Sequence, residues 1–457
     1  MDDLLRLPTG NAELDQILGG GFPRGSINIL MGEPGSGKSV FAESMVFANT
    51  RPGDRPSVYL ATLAEPLDKF VRYLQQFPFF DADALGRDVF YDSMGDQLLE
   101  RGIDAVVAKV EEVIKARRPQ IIVIDSFKVI HDLSSSPAEQ RQMLYQLTSL
   151  LTAYDTTAFL IGEYEEDEMR SFPEFAIADG VVELLRTKTT ARDERFLRVL
   201  KLRGSGYQQG MHAFQITPAG LAVFPRLVSP TEPPRYEQAA DQITTGIAGL
   251  DNMLVNGLMR GSVALVAGPP GAGKTTLGLQ FALAGARNQE PTLYVNFQEN
   301  PTQLERHLRS LGASGAEIAA LDFFYASPVE LQIDSILVAV FHRIKERGIR
   351  RIVLDAVGDL ATASGDPQRV FNYLYALSQH LAVIGVTALM TFELPHPLVG
   401  PGGEVGRFSA LCDALIVLDL DLGERPRRTI RVLKARGVGH DLKVREMQIS
   451  HAGVTVT

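Results

Sequence analysis

Apolar residues along this chain form short continuous runs that alternate with longer amphipathic segments. A continuous run bounded by polar residues is typical of a strand buried on both faces, and apolar residues three and four apart are typical of a helix. Strands that alternate with helices indicate an α/β fold with a mainly parallel sheet covered on both faces. The predicted strands are SINILM (26–31), QIIVID (120–125), AFLIGE (158–163), SVALVA (262–267), RIVLD (351–355) and TALMTFE (387–393).

The pattern occurs twice. The segment TGNAELDQILGGGFPRGSINILMGEPGSGKS begins at Thr9, and TGIAGLDNMLVNGLMRGSVALVAGPPGAGKT begins at Thr245, a shift of 236 residues (245 − 9) without a gap. Near the end of each half, RVLKLRGSG begins at Arg198 and RVLKARGVG at Arg431, a shift of 233 (431 − 198). Two matched motifs at opposite ends of a unit indicate that the whole unit was duplicated.

A proline-containing segment separates the two copies. The stretch SPTEPPRYEQAA (229–240) contains three prolines and no apolar period. Proline stiffens such a segment, so we predict a short semi-rigid linker. The predicted domains are then residues 1–228 and 241–457, each long enough to fold around its own core.

Each copy carries a glycine-rich loop of the form G-x-x-x-x-G-K-[ST] between a predicted strand and a predicted helix. In such a P-loop the backbone N–H groups converge on phosphate oxygens, the lysine reaches the β- and γ-phosphates, and the last hydroxyl binds Mg²⁺. The pattern predicts two sites for ATP with Mg²⁺. The candidate nucleotide-binding residues are Gly32, Gly35, Ser36, Gly37, Lys38 and Ser39, and Gly268, Gly271, Ala272, Gly273, Lys274 and Thr275.

An aspartate ends one later strand in each copy, Asp125 after IIVI and Asp355 after RIVL. Ligands of parallel sheets bind at the carboxyl ends of the strands, so we expect each aspartate to hold the metal together with Ser39 or Thr275. The alternative is that the aspartate caps the helix that follows, and Ser126 after Asp125 fits that alternative.

Hydrolysis also needs a group that orients or deprotonates the attacking water. The strands VYLATLAEP (58–66) and LYVNFQENP (293–301) each end with one carboxylate before a proline, Glu65 and Glu299. A glutamate at a strand tip near the γ-phosphate can act as this base. A solvated loop glutamate is the alternative.

The order of these motifs resembles the KaiC-like family, named for the two-domain RecA-like ATPase of the cyanobacterial clock. The P-loops alone are generic, whereas the duplication together with LKLRG, LKARG and TGIAGLD is specific. The resemblance implies a RecA-like fold in each half and a homo-hexameric ring with ATP at the subunit boundaries. It also implies that a lysine and an arginine of the neighbouring subunit reach the γ-phosphate, here Lys201 and Arg203, and Lys434 and Arg436. Strand residues that face solvent are the alternative for these four.

The chain also departs from the family pattern. The family has two adjacent glutamates at the strand end, whereas Ala64 and Gln298 replace the first one here, so we expect slow hydrolysis. Clock members phosphorylate an adjacent Ser and Thr in the second half, and the matching stretch RFSALCD offers only Ser409. The chain ends at ISHAGVTVT, so we expect it to lack the clock protein's C-terminal tail and to act outside the standard clock circuit.

Composition narrows the remaining possibilities. Among 457 residues, 45% are hydrophobic and 22% charged, as in ordinary globular proteins. The formal charge of −10 and the acidic run EYEEDEMRSFPEF (163–175) disfavour a nucleic-acid partner, because phosphate contacts need basic residues. We find no signal peptide and no run of membrane-spanning length, so we expect a cytoplasmic protein. The single cysteine, Cys412, is expected to be a buried thiol.

The leading hypothesis is a self-assembling, slowly hydrolysing ATPase with a regulatory role and a protein partner that the sequence does not specify. Three alternatives stay open at this point. They are a DNA-dependent motor of the same fold, an autokinase centred on Ser409, and a scaffold in which one or both halves bind ATP without turnover.

Overall fold

The computed structural model describes residues 5–62, 67–134, 136–188, 193–230, 241–327, 332–364, 367–394, 409–423 and 426–457. It divides into two compact units, Met1–Arg226 and Leu227–Thr457. The candidate base Glu65, its neighbour Ala64 and most of the predicted linker lie outside the described residues. The linker boundaries therefore stay a prediction.

The first unit alternates strands with helices. Its strands are β1 (Arg6–Leu7), β2 (Phe22–Pro23), β3 (Ile27–Gly32), β4 (Ser57–Ala61), β5 (Val89–Ser93), β6 (Ile121–Asp125), β7 (Thr157–Gly162), β8 (Gly180–Lys188), β9 (Asp193–Leu202), β10 (His212–Thr217) and β11 (Gly220–Phe224). Its helices are α1 (Ala12–Leu18), α2 (Lys38–Ala48), α3 (Leu67–Leu74), α4 (Gly95–Arg101), α5 (Asp104–Arg117), α6 (Phe127–Asp132), α7 (Pro137–Ala153) and α8 (Pro173–Ile177), with a 3₁₀ helix at Glu166–Arg170.

The second unit repeats this order. Its strands are β12 (Gln242–Ile243), β13 (Leu258–Met259), β14 (Val263–Gly268), β15 (Thr292–Asn296), β16 (Leu321–Tyr325), β17 (Arg351–Asp355), β18 (Thr387–Glu393), β19 (Ala414–Asp421), β20 (Arg427–Ala435), β21 (Arg445–Ser450) and β22 (Gly453–Val456). Its helices are α9 (Ala248–Met253), α10 (Lys274–Arg287), α11 (Pro301–Ser310), α12 (Gly315–Ala319), α13 (Ile333–Arg347), α14 (Val357–Ser364) and α15 (Pro367–Val383).

Each unit contains one nine-stranded sheet among its described residues. The strand order is β5-β4-β6-β7-β3-β8-β9-β10-β11 in the first unit and β16-β15-β17-β18-β14-β19-β20-β21-β22 in the second. The first six strands of each sheet are parallel, and the remaining pairs are antiparallel. The α/β fold class, with two tandem RecA-like domains, is confirmed, and the six predicted strands are β3, β6, β7, β14, β17 and β18.

Side chains on both faces of each parallel sheet are buried, which explains the continuous apolar runs. On β4, Val58 and Leu60 join the core on one face, while Tyr59 points into the core on the other. On β15, Leu293 and Val295 alternate with Tyr294 in the same way. Each unit therefore has one apolar core above its sheet and one below it.

Short polar signals begin the helices. Ser136 accepts a hydrogen bond from the backbone N–H of Glu139 before α7, and Pro137 occupies the first helical position. Asn300 and Gln303 form a capping box at the start of α11. Among the described residues, no helix is both long and apolar enough to cross a membrane. Cys412 is buried as expected, and burial raises the pKa of its thiol to about 11.

Candidate nucleotide-binding sites

Both P-loops connect the end of a central parallel strand to the start of a helix. In the first unit β3 ends at Gly32 and α2 begins at Lys38, and in the second β14 ends at Gly268 and α10 begins at Lys274. This is the strand–loop–helix context that the motif requires, and it aims the helix N-terminus at the place where phosphate would lie.

The glycine before each lysine has a conformation that other residues rarely adopt. Gly37 has φ 109° and Gly273 has φ 103°. A Cβ atom at Gly37 would lie 2.9 Å from Ile216 Cδ1, and one at Gly273 would lie 2.7 Å from Ile449 Cδ1. Gln215–Ile216 and Gln448–Ile449 repeat at a shift of 233 (448 − 215). This repeat packs an isoleucine behind each P-loop, where only glycine fits.

The P-loop lysines are buried and hold the loop's own carbonyl groups. Lys38 Nζ donates to Gly32 O (2.9 Å) and Glu33 O (2.8 Å). Lys274 Nζ donates to Gly268 O (3.0 Å) and Pro269 O (2.9 Å). Burial lowers the pKa of Lys38, and the charges of Glu163, Asp125 and Glu33 oppose that effect. A buried ammonium of this kind favours an anionic ligand, because a phosphate would restore the solvation that burial removes.

The first strand-end aspartate, Asp125, accepts hydrogen bonds from two hydroxyl groups. Ser39 Oγ lies 3.0 Å from Asp125 Oδ2, and Tyr59 OH lies 2.5 Å from the same oxygen. Burial, followed by the charge of Asp125, raises the pKa of Tyr59 well above its usual value, so the phenol remains a donor. The helix that follows begins after Ser126 rather than Asp125, which disfavours the helix-cap interpretation of this aspartate.

The second aspartate, Asp355, is more enclosed. Its Oδ2 accepts from Tyr294 OH (2.9 Å) and Asn296 Nδ2 (3.3 Å), and its Oδ1 accepts from Thr391 Oγ1. Burial and the Asp355 charge raise the pKa of Tyr294 well above its usual value. The peptide bond after each strand-end aspartate is cis.

The donor set in the first unit suits Mg²⁺, because a serine hydroxyl and a carboxylate lie side by side and Mg²⁺ prefers oxygen ligands. Among the described residues, no group of three or more His, Cys, Asp or Glu side chains could hold a metal. A magnesium ion here would thus depend on one carboxylate, one hydroxyl and the nucleotide phosphates. The residues that would hold it are Ser39 with Asp125, and Thr275 with Asp355.

The candidate base of the second half, Glu299, lies at the cavity beside its P-loop. Its backbone N–H donates to Asn296 Oδ1 (2.6 Å), while Glu299 Oε2 is buried and, among the described residues, makes no hydrogen bond. Gln298 stands where the family has the first glutamate, and its amide donates to both carboxylate oxygens of Asp359 (3.1 and 3.0 Å). Gln298 therefore links the end of β15 to Asp359 on α14 through a neutral donor.

A cavity of about 500 Å³ adjoins the second P-loop. Lys274 Nζ lies 3.4 Å from Glu393 Oε2, and Arg428 Nε donates to Gly271 O (3.0 Å). The lining residues are Pro270, Gly271, Gly273, Lys274, Thr275, Thr276, Asn296, Gln298, Glu299, Asp355, Ala356, Glu393, Arg428 and Ile449.

Sequence reasoning missed the two charged residues Glu393 and Arg428, although the repeat contains a signal for both. Glu393 ends β18, and Glu163 directly follows the equivalent strand β7 at a shift of 230 (393 − 163). Arg428 matches Arg195 at a shift of 233 (428 − 195), the same shift as the K-x-R-G motifs. A comparison of the halves beyond the known motifs would have found these positions.

The four cations predicted to act on a neighbour's nucleotide lie away from their own P-loops. Lys201 Nζ donates to Phe175 O (3.3 Å) and Arg203 pairs with Asp179 (3.2 Å). The Asp179 carboxylate in turn accepts from the backbone N–H of Ile27 (3.1 Å), the first residue of β3.

The second half has the same arrangement. Lys434 Nζ donates to Ser409 O (2.5 Å) and Cys412 O (2.8 Å), and Arg436 lies 3.8 Å from Asp413. Asp413 accepts from the backbone N–H of Val263 (3.0 Å), the first residue of β14. Lys434 Nζ also lies 3.4 Å from the Oγ of Ser409, the candidate phosphorylation site.

Comparison with known proteins places this geometry in a family. The model of the family described as "ATPase: KaiC" matches residues 7–228 and 243–457. Circadian clock protein KaiC3 of Synechocystis sp. is 27% identical over 473 aligned positions, which cover 100% of this chain and 92% of that protein. Circadian clock protein KaiC2 of the same organism is 26% identical, with 99% and 81% covered. Circadian clock oscillator protein KaiC of Synechococcus elongatus is 26% identical, with 96% and 86% covered. The chain therefore belongs to the KaiC ATPase family, and both of its halves are copies of that family's domain.

Proposed function

We propose that this chain binds Mg·ATP at both P-loops, hydrolyses it slowly, and assembles into a homo-hexameric ring in which each nucleotide lies between two subunits. The ring would serve a regulatory role toward a protein partner, as the clock names of its relatives suggest. The proposal rests on the two nucleotide cradles and on the position of the four K-x-R-G cations.

Within one subunit, the residues of the P-loop bind and orient the triphosphate. The backbone N–H groups around Gly37 and Gly273 face the phosphates, and Lys38 and Lys274 neutralise their charge. Mg²⁺, held by the hydroxyl and carboxylate pairs, would neutralise charge that develops on the transferred phosphoryl group. The buried lysines support this assignment, because burial disfavours a cation and an anionic ligand offsets that cost.

We assign the role of base to Glu65 and Glu299. Glu299 supports the assignment, since its buried Oε2 makes no hydrogen bond among the described residues and the residue lines the cavity beside Lys274. A carboxylate oxygen with spare acceptor capacity can orient a water molecule for attack. Neither Ala64 nor Gln298 can take a proton, so each site has a single base, and we expect slow turnover.

The observation that carries the ring proposal is the location of the K-x-R-G cations. Arg203 and Arg436 pair with aspartates that accept hydrogen bonds from the first residues of β3 and β14. The P-loops follow the last residues of the same strands. The two ends of each strand are five residue steps apart (32 − 27 and 268 − 263), roughly 16 Å at ~3.3 Å per residue. Neither arginine can therefore stabilise a phosphate in its own P-loop. A neighbouring copy in a ring offers each of them a nucleotide, which ties hydrolysis to assembly.

The experiment that tests nucleotide binding replaces each P-loop lysine in the full chain. We expect Lys38→Ala and Lys274→Ala each to remove about one of two bound nucleotides, counted after denaturation of the purified protein. As matched controls, Glu65→Gln and Glu299→Gln should keep both nucleotides and lower ADP production. Unchanged nucleotide content in both lysine variants would contradict the proposal, and unchanged ADP production in both glutamine variants would contradict the assigned bases.

A further inference from the structure

In each half a buried tyrosine donates a hydrogen bond to the strand-end aspartate, and the function proposed above does not use it. Tyr59 is 4% exposed and Tyr294 is 0% exposed. Their hydroxyl groups contact Asp125 Oδ2 (2.5 Å) and Asp355 Oδ2 (2.9 Å). A buried phenol needs a hydrogen-bond partner, and here the partner is the carboxylate assigned to Mg²⁺.

The sheet register explains why the tyrosine reaches this carboxylate. Asp125 lies opposite Ala61 on β4, and Asp355 lies opposite Asn296 on β15. Tyr59 and Tyr294 are each two residues earlier on those strands, so they lie on the same face of the sheet as the aspartates' direct partners. A tyrosine is long enough to run along the strand and place its hydroxyl at the carboxylate.

The two halves differ in what else surrounds the aspartate. Asp125 lies between Ala61 and Ile161, whose side chains have no polar atoms. Asp355 lies beside Asn296 and Thr391, and both side chains donate to its carboxylate. The orientation of Asp355 is therefore fixed by three neutral donors. In the first half, the Ser39 hydroxyl that contacts Asp125 is itself a metal-ligand candidate.

We propose that Tyr59 and Tyr294 are positioning residues that hold the metal-binding aspartates, and that the first site depends on its tyrosine more than the second does. This inference rests on the proposed function, because it assumes that Asp125 and Asp355 bind the metal. Hydrogen-bond partners that orient a metal ligand typically change metal affinity by about 10- to 100-fold when removed. After loss of the phenol, Asn296 and Thr391 still donate to Asp355. The residues that flank Asp125, Ala61 and Ile161, have no polar side-chain atoms to take over in the same way.

The test measures Mn²⁺ binding rather than turnover. Each site is isolated in the full chain by replacing the other half's P-loop lysine, and a non-hydrolysable ATP analogue is added. Free and bound Mn²⁺ are then counted by electron paramagnetic resonance. We expect Tyr59→Phe to raise the Mn²⁺ dissociation constant about 10- to 100-fold, while the analogue's affinity without metal stays unchanged. Tyr294→Phe should raise it by a smaller factor, and adding Asn296→Ala and Thr391→Val should increase that factor.

Two other buried tyrosine–carboxylate pairs provide matched controls. Tyr164 OH donates to Glu174 (2.9 Å) and Tyr373 OH donates to Asp334. Tyr164→Phe and Tyr373→Phe should leave the Mn²⁺ dissociation constant unchanged, although they remove the same group from the same kind of environment. A purely structural effect would appear in these controls as well.

The outcomes separate the inference from the function beneath it. If the parent protein binds the analogue and Mn²⁺ but Tyr59→Phe leaves the Mn²⁺ dissociation constant unchanged, the positioning role is wrong. If Tyr59→Phe does not fold, the variants of the second half decide. An unchanged Mn²⁺ dissociation constant in the triple variant Tyr294→Phe, Asn296→Ala, Thr391→Val would then overturn the proposal. If the parent protein binds no Mn²⁺ with the analogue, the proposed function itself fails.

Discussion

At the scale of single residues, the sites depend on groups that admit no close substitute. The clearest are Gly37 and Gly273, where a left-handed backbone and an isoleucine behind the loop both exclude a side chain. The P-loop pattern predicts glycine there from phosphate binding alone. The structure adds a second reason, since Ile216 and Ile449 press on the loop from the antiparallel end of the sheet.

We expect Gly37→Ala to weaken nucleotide binding in the first half. A side chain in the left-handed region costs about 1–2 kcal/mol, and the loop can avoid this cost and the contact with Ile216 only by leaving the cradle conformation. Recovering that conformation on binding should lower the affinity roughly tenfold. A fluorescent ATP analogue titrated into the Lys274→Ala background measures this affinity.

Gly206→Ala is the control for this change. An added Cβ at Gly206 would meet no atom within 4 Å, so affinity should not change. Equal affinities for the parent, Gly37→Ala and Gly206→Ala would show that the loop tolerates a side chain, against our interpretation.

At the scale of elements, the strand–helix alternation was predictable because a strand buried on both faces leaves an apolar run that needs no tertiary information to be seen. The pairing of those strands was not predictable. Ala61 lies opposite Asp125 and Asn296 lies opposite Asp355. These pairings depend on the register between strands about 60 residues apart in the chain, and register is set by the whole sheet. Local patterns therefore located the aspartates but not their surroundings.

An ion pair stabilises the helix after the second P-loop, and its contribution to the free energy of unfolding depends on pH. Arg287 at the end of α10 donates to Glu317 (2.7 Å), which also caps α12 through Ser314. The hydrogen bond from Arg287, followed by those from Ser314, lowers the pKa of Glu317 to about 2. A lowered folded-state pKa means that the stabilisation is complete above the ordinary value of 4.5 and is lost as the pH falls toward 2.

We expect Glu317→Gln to lower the free energy of unfolding of the second half by about 0.5–1 kcal/mol at neutral pH, allowing for solvent screening of a partly exposed pair. The difference from the parent should shrink as the pH falls below 4.5, the ordinary pKa of glutamate. Urea unfolding at several pH values measures it. Glu305→Gln, which removes a longer pair with Arg309 (3.8 Å), is the control and should change little. If the difference in free energy of unfolding between the parent and Glu317→Gln grew as the pH fell, the expected pH dependence would be wrong.

At the scale of the whole molecule, the P-loop and the K-x-R-G arginine of the second unit lie at opposite ends of the same strand. The P-loop lies at one end of β14, and Arg436 with Asp413 lies at the other. Arg436 also lines a separate cavity of about 470 Å³ together with Arg260 and Arg350. This separation is what a ring with shared sites requires, and it yields a prediction about mixtures of variants.

We expect Arg436→Ala to lower ATP turnover in the second half while leaving nucleotide bound. An arginine supplied by a neighbour acts on the transition state and typically raises kcat by ~10³-fold or more. The assay uses a Glu65→Gln background, which should silence the first half. Mixing Arg436→Ala subunits with Lys274→Ala subunits should restore activity, since an intact P-loop then meets an intact arginine on its neighbour.

The mixing experiment has a direct control. Subunits that carry both replacements cannot complement either partner, and a mixture that contains them should stay inactive. Failure of the single variants to complement, with both present in one assembly, would mean that Arg436 does not act on a neighbour's nucleotide.

The sequence by itself determined the features that short stretches of chain encode. It specified two P-loops, the strand-end aspartates and the duplicated α/β unit, because glycine conformations and apolar runs are local requirements. Only the tertiary structure decided which residues meet. It brought Glu393 and Arg428 to the cavity, set Tyr59 and Tyr294 on the aspartates, and put Arg203 and Arg436 out of reach of their own P-loops. These contacts join residues distant in the chain, and sheet register and burial establish them only when the whole domain packs.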